Sequence, residues 1–118
     1  MGEAVKVELT RFRVKEGKSD LVDEWLAFLN EQMDAVLETL EPEKMYVETI
    51  FCEELDGVEY LYWYSVQGEG AQDVSSSEHW LDRKHLDYWQ QCIDPAYKPV
   101  DLQTEVVLIP DRIRQKMV

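Results

Sequence analysis

His85 stands three residues after Asp82 and four before Trp89. On a helix those spacings bring all three to one side, where a carboxylate can orient an imidazole beside an indole. A histidine held in that way is a general base, or a hydrogen-bonding group for a bound ligand. The competing reading is structural: Asp82 caps a helix and His85 bonds a nearby backbone carbonyl. The second histidine, His79, lies six residues away, about 240° around a helix axis. The pair therefore offers no shared metal site, and His79 reads as a surface residue.

Other chemistry-bearing residues sit in apolar surroundings. Glu8 and Arg11 interrupt an otherwise apolar first strand, and Glu48 falls on the same strand face as Ile50. A charge on a central strand is either paired, set in a pocket floor, or carried to solvent at the strand end. Arg13 and Lys15 read as solvated charges. Four tryptophans and six tyrosines are many for this length. Trp25, Trp63 and Trp89 fit either plain core packing or an aromatic-lined cavity between helices and sheet. No phosphate loop, dinucleotide fingerprint, HExxH or GxSxG is present. Gly68-Glu69-Gly70 has the wrong charge for a phosphate, and the acids Glu38, Glu41, Glu43, Glu53, Glu54 and Asp56 are too dispersed for a cation loop. No metal and no cofactor is expected.

These residues need elements to hold them. Val5–Val14 alternates as a strand, with Val5, Val7 and Leu9 on one phase and Phe12 and Val14 on the other; a bulge near Thr10 and Arg11 would account for the swap. Ser19 reads as an N-cap. Val22, Trp25, Leu26, Leu29, Met33, Val36, Leu37 and Leu40 then recur at helical spacing, predicting one helix from Asp20 to about Leu40, stopped by Pro42. Met45–Cys52 and Val58–Val66 are strands joined at Asp56-Gly57, a strong hairpin signal because a type I′ turn needs positive φ at both central residues. That turn sets Cys52 opposite Leu61, Phe51 opposite Tyr62, Ile50 opposite Trp63 and Thr49 opposite Tyr64. A capping-box spacing, Ser75 to Glu78, predicts a second helix ending at Ile93, with a break near Trp80. Leu102–Ile109 alternates as a last strand, closed by Pro110.

The order strand, helix, strand, strand, helix, strand is the ferredoxin-like βαββαβ pattern, an α+β fold with a four-stranded antiparallel sheet and two helices on one face. Residues 1–110 form one domain, with 111–118 a tail. Both faces of the hairpin are apolar: Val47, Phe51, Tyr60, Tyr62, Tyr64 and Val66 on one, Tyr46, Ile50, Cys52, Leu61 and Trp63 on the other. The helices cover one face. A second copy, packed through a two-fold axis, is the expected cover for the other, and this chain's own loop and tail are the alternative.

The chain has 118 residues and a formal charge of −13. Such an acidic chain repels nucleic acid and anionic membrane surfaces, so neither is an expected partner. No apolar run is long enough to span a bilayer and no signal core is visible. Cys52 and Cys92, forty residues apart, read as reduced, buried and inert thiols of a cytoplasmic protein.

The segments Val7-Glu8-Leu9-Thr10-Arg11-Phe12-Arg13-Val14, Gly17-Lys18, Asp23-Glu24-Trp25, Met45-Tyr46-Val47-Glu48-Thr49-Ile50-Phe51, Tyr62-Trp63-Tyr64 and Asp82-Arg83-Lys84-His85-Leu86 resemble a bacterial domain-of-unknown-function family numbered 6176. The resemblance runs from about Lys6 to Ile109. It implies a dimeric α+β barrel, in which two ferredoxin-like sheets pack face to face. That superfamily includes cofactor-free monooxygenases and haem-degrading enzymes, and the likeness implies no reaction. The haem-degrading set of an asparagine, a tryptophan and a histidine is not matched as a motif, Asn30 lying mid-helix.

The expectation is a homodimer binding a small, partly aromatic ligand between helices and sheet. His85 and Asp82 are the candidate catalytic pair, and Trp63, Trp89, Glu8, Arg11 and Glu48 the candidate ligand contacts. One alternative is a cofactor-independent monooxygenase or isomerase using His85 as base. Another is a structural or regulatory dimer with no pocket.

Overall fold

The structure is a computed structural model that describes residues 5–70 and 77–117. The elements are β1 (Val5–Arg13), α1 (Ser19–Glu31), α2 (Met33–Leu40), β2 (Met45–Leu55), β3 (Val58–Gly68), α3 (Trp80–Cys92), β4 (Val100–Asp101) and α4 (Asp111–Arg114). The strands form one antiparallel sheet in the order β2-β3-β1-β4.

The hairpin follows from its turn. Asp56 and Gly57 take φ of 52° and 78°, as a type I′ turn demands. The register is the expected one: Leu55 faces Val58, Cys52 Leu61, Phe51 Tyr62, Ile50 Trp63 and Thr49 Tyr64. A bulge between Met45 and Val47 sets Tyr46 aside. Its ring lies over Gly68, where an added Cβ would come within 2.6 Å of the phenol oxygen.

In β1 there is no bulge at Thr10 and Arg11, because pairing with β3 runs unbroken from Val5 to Arg13. The apolar phase changes for a simpler reason. One sheet face is apolar at Val7 and Leu9 and basic at Arg11 and Arg13. The other is polar at Glu8 and Thr10 and apolar at Phe12. Directly opposed residues share a face, so Phe12, Leu61, Trp63 and Ile50 lie together, and the helices pack there. Val14, Val22, Trp25, Leu61, Tyr88, Cys92 and Ile93 form the buried core, with Phe12, Ile50, Trp63 and Trp89 against it.

Three element boundaries differ from expectation. The long first helix breaks at Gln32 (φ −100°, ψ 33°), so α1 packs on the core while α2 sits beside α3. The α1 helix begins at Ser19 itself, whose hydroxyl reaches across to Glu59 Oε1 at 2.6 Å instead of capping. The α3 helix starts at Trp80, where His79 is the N-cap and its Nδ1 accepts from the Leu81 amide at 3.1 Å; the Ser75 signal lies outside the described residues.

The last strand is not where the alternation put it: β4 is Val100–Asp101, and Leu102–Ile109 forms no strand. Only Val100–Asp101 pairs as a ladder, although the Leu102 amide still donates to Leu9 and the Thr104 hydroxyl to Val7 O. Beyond it Val106 and Leu108 stand 71% and 87% exposed. Among the described residues no strand pairs with β4 on the side away from β1. The tail carries structure of its own: α4 forms and Met117 is buried. Among the described residues, no helix is long and apolar enough to cross a membrane.

Candidate functional site

Between the helix layer and the β2–β3 end of the sheet lies a cavity of about 510 Å3, within the roughly 300–1,000 Å3 of small-molecule sites. The sheet contributes Glu48, Ile50 and Trp63, and α3 contributes Asp82, His85 and Trp89. The α1–α2 break holds the cavity open. The apolar stripe of the helices continues past Gln32, but Met33 and Leu37 are left exposed at the cavity edge instead of closing onto the sheet.

Indole rings fix the polar groups. Trp63 Nε1–H donates to Glu48 Oε2 at 2.7 Å. That pair joins residues of adjacent strands that the register places diagonally, Glu48 facing Ser65 and Trp63 facing Ile50. Trp25, fully buried, donates its Nε1–H to His85 Nδ1 at 3.0 Å. The rings of Trp63 and Trp89 lie 5.2 Å apart, centroid to centroid, and each is within 6.3 Å of His85. Together they form one aromatic wall.

The Trp25 bond decides the chemistry of His85. An indole N–H can only donate, so Nδ1 must present a lone pair. A neutral ring then carries its proton on Nε2. A protonated ring would put N–H against N–H. Burial also disfavours the cation and lowers His85 from its ordinary 6.5, with Asp82 opposing. Held so, His85 offers a hydrogen bond from Nε2, which suits a ligand contact; the base of the alternative reading needs that nitrogen unprotonated.

The basic groups of the site are carboxylates. Glu48 is half-buried; desolvation raises its pKa above the ordinary 4.5, the Trp63 bond works the other way, and Asp82 adds to the rise. Asp82 is 3% exposed and lines the same cavity. It sits in the first turn of α3, where the positive end of the helix dipole favours its charge. Its expected contact with His85 is through space only. No group of three or more His, Cys, Asp or Glu able to hold a metal occurs among the described residues.

Of the sequence-derived contacts, Trp63, Trp89, Glu48, Asp82 and His85 all line the cavity, and Glu8 and Arg11 do not. Glu8 meets Lys6 at 3.5 Å near solvent. Arg11 lies on the opposite sheet face, where its Nε donates to Tyr97 Oη at 2.9 Å. Arg13 is not merely solvated, since it bridges Asp94 at 2.8 Å and stacks on Tyr97. His79 also has a partner, Glu38, at 3.1 Å. Cys52 is exposed, yet desolvation and the Glu59 carboxylate, 2.9 Å from its sulfur, push the thiol up to about 12, so it stays protonated. The bond from Trp25 to His85 was missed, as was Asn30, which reaches the cavity from α1. Asn30 is the sole asparagine of the chain, set between Leu29 and Met33 of the apolar stripe; that placement was the available signal.

A family model described as a family of unknown function, DUF6176, matches residues 5–115. The chain belongs to DUF6176. The match takes in β1 through α4, and with them every cavity residue named above. Comparison with curated proteins and with solved structures finds no match. For this DUF6176 chain the cavity itself therefore has to carry the argument.

Proposed function

We propose that this chain is a small-molecule-binding protein whose ligand lies in the cavity between helices and sheet. One observation carries the reading: an open cavity of about 510 Å3 is walled by aromatic rings and holds Glu48, Asp82 and His85 at one place. A packing defect would be small and apolar, because interiors pack to near-crystal density. A structural dimer without a pocket has no need of such a space. Filling it separates the readings. In the wild type, aromatic fragments shift the indole NMR signals of Trp63 and Trp89; in Val36→Phe they do not. If no fragment shifts either signal and Val36→Phe only raises Tm, the cavity is a void.

We read the strand order β2-β3-β1-β4 as ferredoxin-like and the assembly as a homodimeric α+β barrel of the cytoplasm. Support comes from the sheet face away from the helices. Leu9, Phe51, Tyr62 and Tyr64 line a shallow apolar depression there, and Phe51 is 54% exposed. The same chain carries the exposed apolar segment around Val106 and Leu108. Each copy would offer its partner both a face and a cover, the self-complementarity that a two-fold contact requires.

A second reading is enzymatic. The neighbouring Glu48 carboxylate, raised by burial, and the His85 Nε2–H form a base and a donor for moving a proton on a bound ligand. That division of roles differs from a mechanism with His85 as base.

A further inference from the structure

We infer that the C-terminal arm of each copy, Val106–Met117, docks on the α2–β2 corner of a second copy and closes the mouth of its cavity. The contact rests on the homodimer reading and adds that neither ligand site is complete within one chain.

The arm displays apolar and basic side chains together. Val106, Val107, Leu108 and Ile113 are exposed. Arg112, Arg114 and Lys116 are three of the twelve cations of the chain, and Asp111 is the one acid among them. None of the three is in an ion pair among the described residues. Every described hydrogen bond of the arm closes between Pro110 and Met117, and the nearest tie to the sheet is the Thr104 hydroxyl on Val7 O. Exposed apolar residues with polar flanks mark an interaction surface.

The corner has the matching character. Met33 and Leu37 of α2 are exposed at the cavity edge. Around them, residues 33–44 hold Asp34, Glu38, Glu41 and Glu43 against Lys44 alone. A chain of charge −13 is itself the acidic partner a basic arm needs, whereas anionic lipid and nucleic acid repel it.

Register brings arm and corner together. In β1, Val5 faces Gly68 and Arg13 faces Tyr60, and β2 begins with Met45 opposite Gln67. The chain pairs with β1 at Arg11 and Thr10 through β4, then follows it back past Leu9 and Val7. The arm therefore leaves the sheet at the end where β2 starts, but on the opposite edge. A two-fold axis parallel to the strands, between sheets packed face to face, exchanges the edges and keeps the ends. That operation sets the arm of one copy over the α2–β2 corner of the other.

Charge exchange on the full chain tests the contact. One variant carries Arg112→Glu and Arg114→Glu; the other carries Asp34→Lys and Glu41→Lys, which leaves Glu38 to His79. By sedimentation, each alone should associate at least about tenfold more weakly than the wild type, because like charges replace opposite ones. An equimolar mixture should recover wild-type association, since each arm then meets a corner of opposite sign. A second readout needs no charge variant to fold: a nitroxide on Leu108→Cys, in an unlabelled Cys52→Ser chain, should broaden the α2 amide signals of a 15N-labelled wild-type copy. Unchanged association of both variants, a mixture that is not rescued, or broadening confined to other elements overturns the arm contact and leaves the dimer standing. Wild type that pellets with phosphatidylserine vesicles, and stops doing so with Arg112→Glu and Arg114→Glu, assigns the arm to lipid and overturns it too. A wild type that sediments as one chain overturns both the contact and the homodimer.

Discussion

Trp25 and His85, sixty residues apart in the chain, are joined by an indole N–H donated to imidazole Nδ1 at 3.0 Å. The bond ties α1 to α3 and settles which ring nitrogen of His85 holds the proton. Everything the cavity can do with His85 follows from that assignment. Trp25→Phe removes the donor and leaves the ring free to change tautomer. It should lower stability by at least about 1 kcal/mol in urea unfolding, since a buried partner is lost. It should also raise the His85 pKa in an NMR titration; a variant with unchanged His85 titration would contradict the assignment.

The same residue predicts a pH response. His85 has its pKa lowered by burial from 6.5, so the unfolded chain binds its proton first as pH falls. Stability is complete above about 6.5, the unperturbed value, and is lost as pH drops through the lower folded value. In thermal melts between pH 7.5 and 5, His85→Asn, which retains an acceptor for Trp25, should show a flatter dependence than the wild type. Parallel curves would mean His85 is not the titrating group.

Glu48 gives the opposite sign. Its folded pKa lies above 4.5, so the stability linked to it is complete below about 4.5 and declines as pH rises through the folded value. Glu48→Gln should therefore melt a few degrees above the wild type at pH 7.5, with the gap closing near pH 4. A variant less stable at both pH values would show that the Trp63–Glu48 ion bond outweighs the burial cost.

The open sheet face predicts the assembly. Phe51→Glu places a charge in the depression beside Leu9, Tyr62 and Tyr64, and burying it costs several kcal/mol or prevents association. Sedimentation should give about twice the 13.9 kDa chain mass for the wild type and the single-chain mass for the variant. A wild-type protein that sediments as one chain removes the barrel.

Much of this architecture is legible in the sequence, for local reasons. Asp56-Gly57 dictates the turn, and the turn dictates which side chains of β2 and β3 face the helices. Glu48 and Trp63 could therefore be placed on one face from spacing alone. Asp82, His85 and Trp89 follow from helical period in the same way. The break at Gln32 does not follow, because Glu31, Gln32 and Met33 are good helix formers and the stripe continues through them. Arg11 misses the cavity because the expected bulge is absent and unbroken pairing leaves it on the face opposite Phe12, whereas Glu8 shares the face of Phe12 but lies beside Lys6 near solvent. The place of β4 does not follow from alternation, because the pairing with β1 falls at Val100–Asp101, ahead of the alternating Leu102–Ile109. The Trp25–His85 bond has no spacing rule at all, and it was out of reach until the helices were packed.

The account turns on the cavity holding a neutral imidazole, its only proton on Nε2, beside Glu48 and Asp82. A long-range 1H–15N correlation spectrum of the histidine rings at pH 7 reads this directly. His85 should show an unprotonated Nδ1 and a protonated Nε2. An imidazolium, or a ring protonated at Nδ1, would contradict the hydrogen bond from Trp25 and with it the donor that His85 offers a bound ligand.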